Sequence, residues 1–284
     1  MSASIKFYDG INDNFPEFIN SEIAILLKTI DKLIPFGVFI LSPGITANED
    51  DYFASMAITF CRRQVDHLSS LISLYRANLY PDMQLIARSM IEGFAFLYWG
   101  VSNKGWVPLR WCSYAAVTDY RLAMKHLSKG VVPETDKQKI EEMLKKYGKP
   151  FLKKKNQELN IDFKTDPFIK YWNVDNNGEK VSARKVFNNL KADPLSIAYE
   201  DMSDWIHWST RGFGPILARN ENIVGYDYLN KKLVPLALSS AIIAFTESFY
   251  SLTRHLKLDA ENQLNDIQRK HIQEMDCIYK QKSK

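Results

Sequence analysis

The sequence predicts an all-α protein built as a multi-helix bundle, and three observations carry that prediction. Apolar residues recur at helical spacing through most of the chain. Start and stop signals cut it into segments of helical length. Only two short stretches, around Tyr171 and Val224, have the character of strands. Hydrophobic residues make up 46% and charged residues 25% of the 284 positions. That balance belongs to a globular chain rather than a disordered one.

The first helix is expected from Phe15 to Ile34, stopped by Pro35-Phe36-Gly37. Thr46 and Glu49 have capping-box spacing ahead of a helix from about Asp50 to Arg76. Tyr80-Pro81-Asp82 opens the next, which runs to Val101 and is apolar nearly all round. A fourth spans Leu109 to Leu127, and a charged fifth runs from Pro133 to Tyr147, closed by Gly148 and Pro150. An irregular Lys- and Asn-rich connection follows over residues 148–180. Asp193-Pro194 pairs a cap residue with proline at the first helical position and starts a helix to about Thr210. Helices over Leu229–Leu256 and Asp259–Tyr279 complete the chain. By segment, 1–45 is an N-terminal helix and loop, 46–256 the bundle core and 257–284 a charged C-terminal helix.

Composition narrows the chemistry. The net charge of +4 permits an anionic partner without demanding one. Cys61, Cys112 and Cys277 are odd in number and lack metal-ligand spacing, which points to a reducing, cytoplasmic setting. Met1 to Asp9 lacks a signal-peptide pattern. The apolar stretches 85–101 and 234–252 carry internal charges, so both read as buried helices and no membrane partner is expected. No paired Glu-x-x-His, Gly-rich phosphate loop or nucleophile elbow occurs, and no cofactor or metal is expected.

Two sites draw attention. Arg88 and Glu92 are the only charges between Met83 and Trp99, four residues apart on one helical face. They form either a buried ion pair that fixes helix register or part of a pocket. Tyr199, Ser203 and His207 also recur every four residues, as a polar stripe on the helix after Pro194. If the two helices meet, Arg88 would face a phosphate and His207 would move a proton. Glu92 would then orient either group, and Tyr199 and Ser203 would bind substrate. The opposing reading is a polar seam satisfied between helices. Lys145, Lys146, Lys149, Lys153, Lys154 and Lys155 form a basic cluster, read as a solvated loop rather than a phosphate site.

The phrase Ala87-Arg88-Ser89-Met90-Ile91-Glu92, followed by an aromatic-rich helix, resembles an uncharacterised family of bacterial helical proteins. Tyr199-x3-Ser203-x3-His207 is similar to that family's second signature, and the resemblance runs from about Tyr52 to Phe213. The family is loosely similar to the HEPN superfamily, whose bundles include metal-independent RNases of toxin and phage-defence systems. The resemblance implies RNA cleavage or nucleotide binding. Those RNases use an Arg and a His four to six residues apart on one helix. Arg62 with His67, in a polar break of an apolar helix, meets that spacing as an alternative catalytic pair. Arg121 with His126 meets it too, on what reads as a solvated face.

The expectations are therefore an RNA- or nucleotide-acting effector, or a non-catalytic module whose polar residues hold the core together. A toxin neutralised by a protein partner is a third. Leu264, Ile267, His271, Met275 and Ile278 form a stripe on the last helix, which either docks within the chain or pairs with a second copy.

Overall fold

The computed structural model describes residues 17–42, 45, 47–48, 50–127, 134–153, 159, 161–190, 193–206, 217–220, 223–226, 231 and 233–282. In chain order the helices are α1 (Glu17–Ile40), α2 (Tyr52–Arg76), α3 (Tyr80–Ser102), α4 (Val107–Leu127), α5 (Glu134–Tyr147), α6 (Ala183–Leu190), α7 (Asp193–Ile206), α8 (Leu233–Leu256) and α9 (Glu261–Lys282). A 3-10 turn, η1 (Lys149–Phe151), follows α5. An antiparallel hairpin of β1 (Leu217–Asn220) and β2 (Ile223–Tyr226), with Leu217 opposite Tyr226, lies between α7 and α8. The all-α class therefore holds, with a strand at Val224 and, to either side of Tyr171, only isolated antiparallel bridges at Phe168 and Val174.

Pro35 does not stop the first helix. α1 continues through it to Ile40 because the turn beyond carries core contacts: Leu33, Phe36 and Ile40 are all buried. Those contacts outweigh the roughly 3 kcal/mol that an interior proline costs. Gly37 lies at the closest approach. A Cβ there would meet Val65 Cγ2 at 2.6 Å and Phe245 Cζ at 2.9 Å. Gly37→Ala is expected to destabilise the chain by about 1–3 kcal/mol through overpacking, despite alanine's better helix propensity, read as a lower denaturant midpoint.

The capping-box residues Thr46 and Glu49 lie outside the described residues. α2 is capped instead by Asp51, whose Oδ1 accepts from the Ala54 amide at 2.9 Å. Two of the helices are the apolar ones flagged in the sequence. In α3, Met83, Ala87, Met90, Ile91, Ala95 and Leu97 are fully buried. α8 has the length and composition to cross a membrane, but 67% of its apolar window is covered by the protein itself. A core helix looks the same.

By compactness the chain forms two units. The first comprises 1–46, 57–98 and 186–284, the second 47–56 and 99–185. In the first, α9 packs along α1 and against α8. Leu264 and Ile267 are buried there, and His271 Nδ1 lies 3.0 Å from Thr29 Oγ1. Lys28 pairs with Glu274 at 2.6 Å beside them.

The second unit centres on Val117, Tyr120, Leu144, Phe151 and Phe168. Its irregular stretch is held by two isolated antiparallel bridges, Leu152 with Phe168 and Val174 with Lys180, and by side chains bonding to backbone. Asp162 Oδ1 accepts from the amides of Lys164 and Thr165, and Asp175 Oδ1 from those of Asn177 and Glu179. Both carboxyls consequently sit below their ordinary pKa, chiefly through these backbone bonds. Arg121 clamps the stretch to α4. It binds Asp166 at 2.9 Å and donates to the carbonyls of Phe168 and Ile169. That overturns the solvated-face reading of Arg121, whose partners are distant in sequence and left no periodic trace. Lys153 likewise donates to the Asp166 carbonyl. The short helix α6 was not anticipated, because eight residues give too little periodicity to see.

Candidate functional site

Arg88 is held in one geometry from three sides. Its Nε donates to Ser203 Oγ at 2.9 Å and its Nη2 to Tyr199 Oη at 2.9 Å. Glu92 Oε2 lies 3.6 Å from Nη1. The guanidinium carbon also sits 4.6 Å from the centre of the Tyr199 ring. Ser203 spends its own proton on the Tyr199 carbonyl, 2.5 Å away, so its oxygen is left to accept. Burial, and then the nearby Glu92 charge, raises the Tyr199 phenol above its ordinary pKa.

Four of the residues singled out in the sequence therefore converge where α3 meets α7. His207 lies outside the described residues. Two hydrogen bonds and an ion pair hold Arg88 between α3 and α7, which is the behaviour of a bracket between helices. Arg88→Ala is expected to lower stability by about 2 kcal/mol, read as a fall in the unfolding midpoint. Arg88→Lys should not restore it, since an ammonium cannot reproduce the planar fork.

The second group surrounds a cavity of about 460 Å³ between α2 and α3, within the size range of small-ligand pockets. Thr59, Phe60, Arg62, Arg63, Gln64, Asp66 and His67 line it from α2, and Ser89, Glu92, Gly93 and Phe96 from α3. The alternative pair Arg62 and His67 thus lies on one wall. His67 is 8% exposed, and its Nε2 lies 3.2 Å from Ser89 Oγ. Burial pushes the imidazole below its ordinary pKa, the Arg63 charge adds to this, and Asp66 opposes it. The ring is therefore held neutral at pH 7, able to accept a proton from a hydroxyl in the cavity. Arg62 and Arg63 are exposed, with no hydrogen-bond or ion-pair partner among the described residues. Glu92 belongs to both groups, so the bracket and the cavity share a carboxylate.

Residues 54–223 match the family of unknown function DUF5677. The chain belongs to that family. No curated protein and no solved structure matches it. The DUF5677 match spans α2 to β2, and with it both the cavity and the Arg88 bracket. For this DUF5677 member the Arg121–His126 pair offers no comparable site. Arg121 is engaged by Asp166 and two carbonyls, while His126 is exposed.

Sequence reasoning passed over Arg63, Gln64, Ser89 and Gly93 as site residues. The available signal was the run Arg62-Arg63-Gln64-Val65-Asp66-His67, polar within an apolar helix. What it lacked was the opposing wall, which only the packing of α3 supplies.

Proposed function

We propose that this DUF5677 protein is a HEPN-like, metal-independent ribonuclease whose catalytic groups are Arg62 and His67 in the α2–α3 cavity. The observation that carries the reading is the meeting, in one cavity, of a neutral buried imidazole and two uncommitted guanidiniums. His67 would take the proton of a ribose 2′-hydroxyl, whose oxygen then attacks the adjacent phosphorus. The bond to the leaving 5′-oxygen breaks, and that oxygen collects a proton from solvent, leaving a 2′,3′-cyclic phosphate. Arg62 and Arg63 would balance the charge gathering on the phosphoryl oxygens. Glu92 would hold Arg88, making both positioning groups. A cytoplasmic role in bacterial stress or antiphage defence follows from the resemblance to such RNases.

The test is incubation of the full chain with total bacterial RNA in excess chelator, comparing wild type with Arg62→Ala. Cleavage by wild type that disappears in the variant is expected; intact RNA with wild type rejects the reading. The second reading, a non-catalytic binding module, is favoured by the engagement of Arg88 with three protein side chains. Under it Arg88→Ala lowers the unfolding midpoint and RNA stays whole throughout.

A further inference from the structure

A serine inside a helix commonly spends its proton on the carbonyl four residues back. Ser69 and Ser73 in α2, Ser113 in α4, Ser203 in α7 and Ser248 in α8 all do so. Ser89 in α3 is turned away from its own backbone. Its hydroxyl makes one hydrogen bond among the described residues, with His67 Nε2 at 3.2 Å.

With no carbonyl taking its proton, the Ser89 hydroxyl is free to donate to Nε2, whereas a serine bonded to its own helix is left only to accept. His67 Nδ1 makes no hydrogen bond among the described residues and is not fully enclosed, so a proton on that nitrogen reaches solvent. Burial runs in the matching order. The imidazole is buried and Ser89 is exposed, and both line the cavity together with Arg62 and Arg63. A hydroxyl that arrives in the cavity beside Ser89 therefore meets an oxygen already bonded to the base.

We propose that Ser89 relays the substrate's proton to His67 Nε2. The neutral ring carries its own proton on Nδ1, and Nε2 accepts from Ser89 Oγ. As the ribose 2′-oxygen closes on phosphorus, its proton passes to Ser89 Oγ and the serine's proton passes to Nε2. The bond to the 5′-oxygen breaks, that oxygen takes a proton from solvent, and the imidazole is left as imidazolium. Ser89 ends with a hydroxyl, as it began. Burial, which keeps the ring neutral, leaves Nε2 open to the incoming proton. The relay rests on the ribonuclease reading, but the tautomer it requires is measurable with no substrate present.

The full chain is labelled with nitrogen-15 histidine and its ring nitrogens are read by NMR at mildly alkaline pH, with His67→Gln assigning the signal. Cleavage of a mixed-sequence RNA decamer carrying a fluorophore and a quencher is followed in parallel. Wild type is expected to show His67 with Nε2 unprotonated, and Ser89→Ala should raise the share of the Nε2–H form. In Ser89→Ala kcat should fall about tenfold to a hundredfold with KM little changed, less than in His67→Ala because water can stand in for the hydroxyl. Its unfolding midpoint should stay put, since Ser89 is exposed. Ser89→Thr keeps the hydroxyl and should keep most of the rate. An Nε2–H tautomer in wild type, a wild-type rate in Ser89→Ala, or a loss carried by KM overturns the relay; the ribonuclease reading then still stands if His67→Ala abolishes cleavage. A wild-type chain that leaves the decamer intact overturns both.

Discussion

Alanine at position 67 is expected to slow RNA cleavage by about a hundredfold to ten-thousandfold, the usual contribution of a positioned general base. The imidazole is placed for that task by packing, with Ser89 Oγ 3.2 Å from Nε2. Loss of the ring should change the fold little, because Ser89 is exposed and its hydroxyl can turn to water. The unfolding midpoint and the rate should therefore move independently, which separates this variant from a merely misfolded one.

The pH profile adds a second readout. Burial lowers the His67 pKa below 6.5, with Arg63 acting in the same direction. The acid limb of the rate should therefore fall below pH 6.5, with full activity at neutrality. Stability follows the same sign. Below pH 6.5 the unfolded chain binds a proton that the folded chain refuses until its lower pKa is reached. Stability should drop as pH falls through that window, and His271, also lowered by burial, adds to the loss. An acid limb lying above pH 6.5 would exclude His67 as the base.

Arg121→Ala should be among the most destabilising single changes in the second unit, costing about 2–4 kcal/mol. Removing the guanidinium takes a donor from the Asp166 carboxylate and from two carbonyls at once, leaving Asp166 only the Phe168 amide and Ile169 only the Tyr114 hydroxyl among the described residues. It also frees the segment that carries Phe168 into the core. Limited proteolysis should then cut within residues 162–169, at a site protected in wild type. Arg121→Lys should recover only part of the loss, because one ammonium cannot span three acceptors. An unchanged midpoint with unchanged protection would show that the clamp is dispensable.

The helices were legible because their signals are local. Burial of α3 and α8 could be read from apolar residues on every side, and the start of α7 from Asp193-Pro194. Pro35 misled for the opposite reason. Its cost is local, while the contacts of Phe36 and Ile40 that outweigh it come from elsewhere in the chain. The two stripes of spacing four singled out Arg88, Tyr199 and Ser203, but their meeting was only a condition there, because spacing within a helix cannot bring together residues 111 and 115 positions apart. The cavity was half visible. Arg62 and His67 share a helix, whereas Ser89 and Gly93 complete it only through the pairing of α3 with α2. Spacing reveals a wall, but nothing in one helix says what stands opposite.

Thr29 and His271 touch across 242 residues of sequence. A ribosome adding about 5–20 residues per second needs roughly 10–50 s to traverse that interval. Throughout that time the greasy flank of α1 that α9 later covers has no native shelter, and holdase chaperones or a neighbouring nascent chain can reach it. Expression yield should therefore respond more steeply to translation speed and growth temperature than the equilibrium stability of the finished protein would suggest.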